Sequence, residues 1–187
     1  MLFRSVPQAR FTRFSRGLVP TDSICANRLR RWLDFPPPPT VKYINEQIKN
    51  GTAEFAVVMC DLNYLKHIND NLGHKAGDEA IRKAANMLCK VFPMSTVFRI
   101  GGDEFVVIPS ILEYAIIDEK QNLLKMMLSE QKKSSDNYLE RISIAFGCAV
   151  FDRKKDHSYQ EVFERADHIM YEDKRKIHES DGISTER

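Results

Sequence analysis

The sequence predicts an α/β (α+β) domain, a mixed sheet with surrounding helices and a β-hairpin at its centre. Three observations carry that prediction. "EFAVVMC", Glu54 to Cys60, is a continuous apolar run of strand length, as a central strand covered on both faces requires. "STVFRIGGDEFVVI", Ser95 to Ile108, sets Gly101 and Gly102 between two runs of β-formers, the mark of a hairpin whose two-residue turn uses positive φ angles. "GDEAIRKAANMLCKVF" and "SYQEVFERADHIMYEDKRKIH" repeat apolar residues at helical spacing and supply the layers that cover a sheet.

Taken in order, the first forty residues hold seven arginines against two acids, Asp22 and Asp34, and no lysine. Such a stretch suits a transit peptide, a basic arm or a linker, and a linker or cut end is expected. "DFPPPPT" closes it, with Pro36 to Pro39 expected in a stiff polyproline II conformation. A helical lead-in, "VKYINEQIKN", precedes the apolar strand, which ends at Asp61. "LNYLKHINDNLG" reads as a short helix closed by Gly73, and the next helix turns Ala80, Ile81, Ala84, Ala85, Leu88 and Val91 to one face. After the hairpin come one helix from about Ile111 to Lys132, a polar loop "KKSSDN" and the strand "RISIAFGCAVF". The last helix is expected to bury Val162, Phe163, Ala166, Ile169 and Met170. The order is β-α-α-β-β-α-β-α, without internal repeat. The expected organisation is a basic, proline-terminated segment over residues 1–40, one domain over 41–180 and a tail over 181–187.

At 187 residues the domain can bury roughly 70% of its unfolded surface and needs no staple to fold. A net charge of +2 gives no strong global field, so no nucleic-acid partner is expected, and no apolar run has the length of a membrane span. Cys25, Cys60, Cys89 and Cys148 lack CxxC spacing and are read as free thiols of a reducing compartment, which places the chain in the cytoplasm.

Strands lying side by side are only ~4.8 Å apart, so pairing of the apolar strand with the hairpin would bring Asp61 beside Asp103 and Glu104. Gathered carboxylates repel one another unless a cation lies between them, and hard oxygen ligands suit Mg²⁺ or Mn²⁺. Two such ions about 3.5–4 Å apart can orient an in-line attack on a phosphate. Without side chains at 101 and 102, a phosphate can also approach the backbone N–H groups of the turn. An acid cluster beside a bare turn points to a nucleoside triphosphate.

"CDLNYLKHINDNLGHKAGDEAI" followed by "FRIGGDEFVVI" resembles the GGDEF domain of diguanylate cyclases, with its pattern of a strand-end acid, FKxxND, GHxxGD and RxGGDEF. Lys66, Asn69, Asp70, Gly73, His74, Gly77, Asp78, Arg99 and Gly101 to Phe105 match in order, "ISIAFGCAV" is similar to the family's SIGxA strand, and "ADHIMYEDK" to its ADxALYxAK helix. The resemblance covers about Ala53 to His178. It implies a palm-like nucleotide-cyclase sheet and the condensation of two GTP into cyclic di-GMP with loss of two pyrophosphates. It further implies metal ligation by Asp61, the Leu62 carbonyl, Asp103 and Glu104, with two Mg²⁺ or Mn²⁺ ions per site. Asp103 or Glu104 would accept the proton of the attacking 3′-hydroxyl, and Lys66 and Lys174 would offer charge to the phosphates. Asn69 and Asp78 would contact guanine, with His74 near the nucleotide. The Asp78 assignment also has its own chemistry: guanine shows two adjacent donors that one carboxylate can accept, and adenine lacks the pair. Because each chain would hold one GTP, two copies are expected to act together.

Four departures from the family pattern stand out. The lead-in DxLTGLxNR survives at best as "DSICANR"; Asn63 replaces a common Asp; His178 stands where an arginine usually reaches the triphosphate; and Phe92-Pro93-Met94-Ser95 replaces the RxxD product-binding motif. The alternative to an active cyclase is a degenerate domain that binds GTP or a protein partner without catalysis.

Overall fold

The computed structural model describes residues 29–31, 38–135 and 137–182. Its elements are β1 (Leu29–Arg31), α1 (Pro38–Lys49), β2 (Ala56–Leu62), α2 (Leu65–Leu72), α3 (His74–Val91), β3 (Thr96–Arg99), β4 (Glu104–Ile108), α4 (Ile111–Tyr114), α5 (Ile117–Ser134), β5 (Ile144–Val150) and α6 (Tyr159–Ser180). The strands form one mixed sheet in the order β1-β3-β4-β2-β5. β3, β4, β2 and β5 run antiparallel to their neighbours, and β1 adds to β3 in parallel.

Every residue of β2 is buried, and side-chain alternation divides the strand between two cores. Ala56, Val58, Cys60 and Leu62 join residues of α2, α3 and α5 on one face. Val57 and Met59 join residues of α1 and α6 on the other. Leu88, Phe92 and Leu124 are fully enclosed, each stabilising the fold by roughly 1.5–3 kcal/mol. The expected central strand and hairpin are therefore present, with helices on both faces.

Several expectations are corrected. β1 lies within the Arg-rich stretch, where no strand was expected, and pairs Leu29 with Val97. Pro38 and Pro39 open α1 instead of extending a polyproline helix, since the first helical turn has no use for the N–H that proline lacks; Pro36 and Pro37 lie outside the described residues. The single helix from Ile111 is two, because Ser110 caps a short α4 by accepting from the Glu113 N–H and the chain turns again at Ile116 before α5. Ile169 is 39% exposed, so α6 buries Tyr159, Val162, Ala166 and Met170. Cys60 and Cys148 are free as expected, whereas Cys89 is disulfide-bonded; Cys25 lies outside the described residues.

Neither Gly101 nor Gly102 has a positive φ. The hairpin closes through the Ile100 N–H, which donates to the Glu104 carbonyl at 2.9 Å, leaving three residues in the turn. A positive-φ two-residue turn is not used, so these glycines serve a different need.

Candidate active site

β2 delivers Asp61 to the rim of the sheet. In the antiparallel register Asp61 stands opposite Glu104 at the start of β4, while the Leu62 N–H donates to the Asp103 carbonyl at 2.8 Å. Directly opposed side chains on neighbouring strands have Cβ atoms about 4.5–5.5 Å apart, and like charges so placed destabilise the sheet. Burial pushes the Glu104 carboxyl up, and the negative charges of Asp103, Asp61 and Asp167 push it the same way.

Asp61 is 4% exposed. One oxygen, Oδ2, accepts from Lys174 Nζ of α6 at 2.8 Å; the other, Oδ1, is buried with no hydrogen-bond partner. Burial raises the Asp61 carboxyl, and the Lys174 hydrogen bond and charge pull it back only in part. Lys174 reaches this point because α6 lies directly on β5. A Cβ built on Gly147 would come within 2.2 Å of the Ala166 carbonyl and 2.3 Å of the Met170 nitrogen.

The turn glycines have distinct duties. A Cβ on Gly101 would meet Glu104 Oε2 at 2.5 Å, so Gly101 makes room for that carboxylate. Gly102 is exposed with nothing near its Cβ position, which leaves the turn open to a phosphate. Arg99 Nη2 holds the turn by donating to the Gly102 carbonyl at 2.7 Å.

Past Leu62 the chain turns sharply through Tyr64, a bulky residue at φ 65°, a conformation that requires support from its surroundings. Tyr64 Oη donates to Asp181 Oδ2 at 2.8 Å, and its ring stacks on His178 with centroids 4.9 Å apart. α2 then presents Lys66 and Asp70 exposed and Asn69 half-buried. Gly73, at φ 84°, turns the chain from α2 into α3 and bonds back to the Asn69 carbonyl. His74 and Asp78 are exposed near the start of α3. A Cβ on Gly77 would fall 2.0 Å from Asn69 Oδ1; the Asn69 amide thus lies against Gly77, the residue next to Asp78.

The expected residues therefore form two groups. Asp61, Leu62, Asp103, Glu104, Gly101 and Lys174 gather at the sheet rim, and Asn69, His74 and Asp78 sit where α2 meets α3. Asp167 was missed, although it precedes Lys174 by seven residues, two helical turns, and so shares its side of α6. His178 does not stand free for a phosphate. Its Nε2 lies 3.3 Å from Asn63 Oδ1, and burial, then the Lys174 charge, lowers its pKa and keeps it neutral.

At the position of the family's product-binding motif, the two residues standing where its arginine and aspartate would be are buried, while Pro93 and Met94 between them are exposed. Phe92 is fully buried, and Ser95 is 4% exposed. Ser95 Oγ donates to Glu113 Oε2 and accepts from the Ser110 N–H at 2.9 Å, while the Met94 N–H donates to Glu113 Oε1 at 3.1 Å.

Comparison with known proteins bears on the fold and the family. The family model "Diguanylate cyclase, GGDEF domain" matches residues 41–180. Diguanylate cyclase DosC of Escherichia coli (strain K12) is 28% identical over 170 residues, 89% of this chain and 35% of that protein. The chain thus spans about a third of the length of such relatives. Among solved structures, the GGDEF domain of DgcB from Caulobacter crescentus, in complex with c-di-GMP, matches with a TM-score of 0.63 at 24% identity, covering 87% of this chain and 94% of that one. The active GGEEF domain of a Vibrio cholerae diguanylate cyclase matches with a TM-score of 0.62 at 21% identity, covering 80% and 92%. These structural likenesses establish the fold, and with the family match over residues 41–180 the chain belongs to the GGDEF-domain family of diguanylate cyclases.

Proposed function

We propose that this domain condenses two GTP into cyclic di-GMP, releasing two pyrophosphates, with Asp61, the Leu62 carbonyl, Asp103 and Glu104 holding Mg²⁺ or Mn²⁺. The observation that carries the reading is the buried Asp61 opposite Glu104, with one Asp61 oxygen unpartnered. Among the described residues no three His, Cys, Asp or Glu side chains form a ready cage for an ion. The fit rests instead on donor chemistry: the rim carboxylates and the Leu62 carbonyl are hard oxygen donors, the unpartnered Asp61 oxygen among them, and Mg²⁺ prefers such ligands and completes its shell with substrate phosphates. The donor set therefore fits, and the ions when bound supply the positive charge that the transferring phosphoryl group requires.

The chain's own residues do the rest. Asn69 and Asp78 select guanine, with His74 beside the nucleotide. Lys66 and Lys174 supply charge to the phosphates, Gly102 leaves the turn bare beneath them, and Gly101 gives the Glu104 carboxylate its place beside them. The 3′-oxygen of one nucleotide bonds to the α-phosphorus of the other, the bond to the β-phosphate oxygen breaks, and pyrophosphate leaves. The proton passes to Asp103 or Glu104, and a second such step closes the ring. Two copies face each other, each offering one GTP. We assign the catalytic domain to residues 41–180, joined by β1 and the first turn of α1 from the segment before it and by Asp181 just after it. Among the described residues no helix is long and apolar enough to cross a membrane, and we place the domain in the cytoplasm, where GTP is available.

One observation favours a second reading, a domain that binds GTP or a protein partner without turnover. His178 faces Asn63 and Tyr64 and is kept neutral, so the triphosphate loses the cation that an arginine would supply. Incubation of the purified chain with GTP and Mg²⁺, followed by mass analysis, decides between them. Cyclic di-GMP is the expected product; GTP bound and recovered intact would establish the second reading.

A further inference from the structure

We propose that Lys174 is an exchangeable counter-ion, its ammonium holding the cation position at Asp61 until a divalent ion takes its place and frees the lysine for the triphosphate. The inference rests on the proposed metal site at Asp61.

The contact itself is the first support. Lys174 Nζ lies 2.8 Å from Asp61 Oδ2, with the Asp61 side chain 6% exposed and that of Lys174 28% exposed. A carboxylate so enclosed needs a positive neighbour, and Lys174 is the cation that the structure pairs with it. Second, the pairing satisfies only half of the carboxylate, since Oδ1 is buried and unpartnered. A lysine ammonium is a compact point charge on a flexible stem, which can leave without moving the helix that carries it. α6 stays in place because its backbone rests on Gly147.

Third, the charges favour exchange over coexistence. Asp61 and Glu104 both feel Asp103 and Asp167, and one ammonium offsets this group of acids less well than a divalent ion. An ion beside Asp61 would in turn repel the ammonium. A lysine already at the rim has a short path to a phosphate lying over Gly102.

The test needs no nucleotide and no turnover. The full chain is treated with an amine-acylating reagent with and without Mn²⁺, and labelling of Lys174 is compared by mass spectrometry with that of Lys176, exposed on the same helix. In parallel, Mn²⁺ affinity is read from the resonance of the free ion for the wild type, Asp61→Asn, Lys174→Met and Lys174→Arg. Expected are a several-fold rise in Lys174 labelling with Mn²⁺, binding about five- to tenfold tighter in Lys174→Met, and wild-type affinity in Lys174→Arg, which keeps the charge. Binding that depends on Asp61 while Lys174 labelling stays constant would overturn the exchange and leave the metal site standing. Absence of Asp61-dependent Mn²⁺ binding in both the wild type and Lys174→Met would overturn the metal site, and the exchange with it.

Discussion

Gly77 of α3 lies so close to Asn69 of α2 that a Cβ would fall 2.0 Å from the amide oxygen. The glycine sets where the Asn69 amide sits relative to Asp78. Replacing Gly77 by Ala must displace that amide, a shift that the half-buried Asn69 side chain can take up with little loss of stability. The expected outcome is GTP binding weakened by about tenfold or more in a protein that still melts cooperatively. Titration calorimetry with GTP checks it, and unchanged affinity in the folded variant would separate Asn69 from guanine recognition.

Buried Phe92 and Ser95 stand where product would meet an arginine and an aspartate. Initial rates should therefore be insensitive to added cyclic di-GMP, apart from competition at the GTP site. A titration of product into the cyclase assay reads this directly, and noncompetitive inhibition would reveal a binding site elsewhere on the chain.

Asp181, just past α6, accepts from Arg141 at 2.7 Å and from Tyr64 at 2.8 Å and pairs with Lys132 at 3.1 Å. Burial alone would raise its carboxyl; the hydrogen bonds from Arg141, Tyr64 and Lys132 outweigh it and hold the group below the usual carboxylate range. A depressed folded-state value contributes stability that is present above the unfolded pKa of ~3.9 and lost as pH falls through the folded value. Asp181→Asn should cost about 1–3 kcal/mol near neutrality, with the gap to wild type closing in acid. Thermal melts of both proteins across pH test this, and a pH-independent gap would show that the charge on Asp181 carries no stability.

Reciprocal attack requires two nucleotide sites, and one chain offers one. Holding the reactants in near-attack geometry is worth several kcal/mol, so the rate per molecule should rise with enzyme concentration. Assays across a dilution series with parallel sedimentation measure it. A constant rate per molecule under conditions where only monomer sediments would refute the two-copy mechanism.

The meeting of Asp61 with Glu104 could be read from the sequence because strand pairing allows few registers. An apolar run ending in Asp61 and a hairpin whose second strand begins at Glu104 have few ways to lie together, and the observed register sets the two opposite each other. The Lys174 contact could not be read in this way, because its reach depends on α6 resting on Gly147, a long-range approach that no local pattern encodes. Glu113 resembles a surface acid on an amphipathic helix, yet it is 2% exposed, paired with Ser95 and Lys120. The role of Gly101 was misassigned for a related reason. Two glycines in a hairpin suggest backbone freedom, whereas the requirement at Gly101 is space for the Glu104 side chain. β1 escaped notice because three residues, two of them arginines, carry no alternation to detect.

The measurement closest to the central claim is Mg²⁺-dependent turnover of GTP by the wild type and by Asp103→Ala, with product identified by mass and folding confirmed by melting. Asp103 sits in the hairpin turn, outside both cores, so its loss should leave the fold intact. The account predicts cyclic di-GMP from the wild type and a loss of at least about a hundredfold in the variant, the scale of removing one group that stabilises or deprotonates the reacting centre. Undiminished turnover by a folded Asp103→Ala protein, or a wild type that forms no cyclic di-GMP, would contradict it.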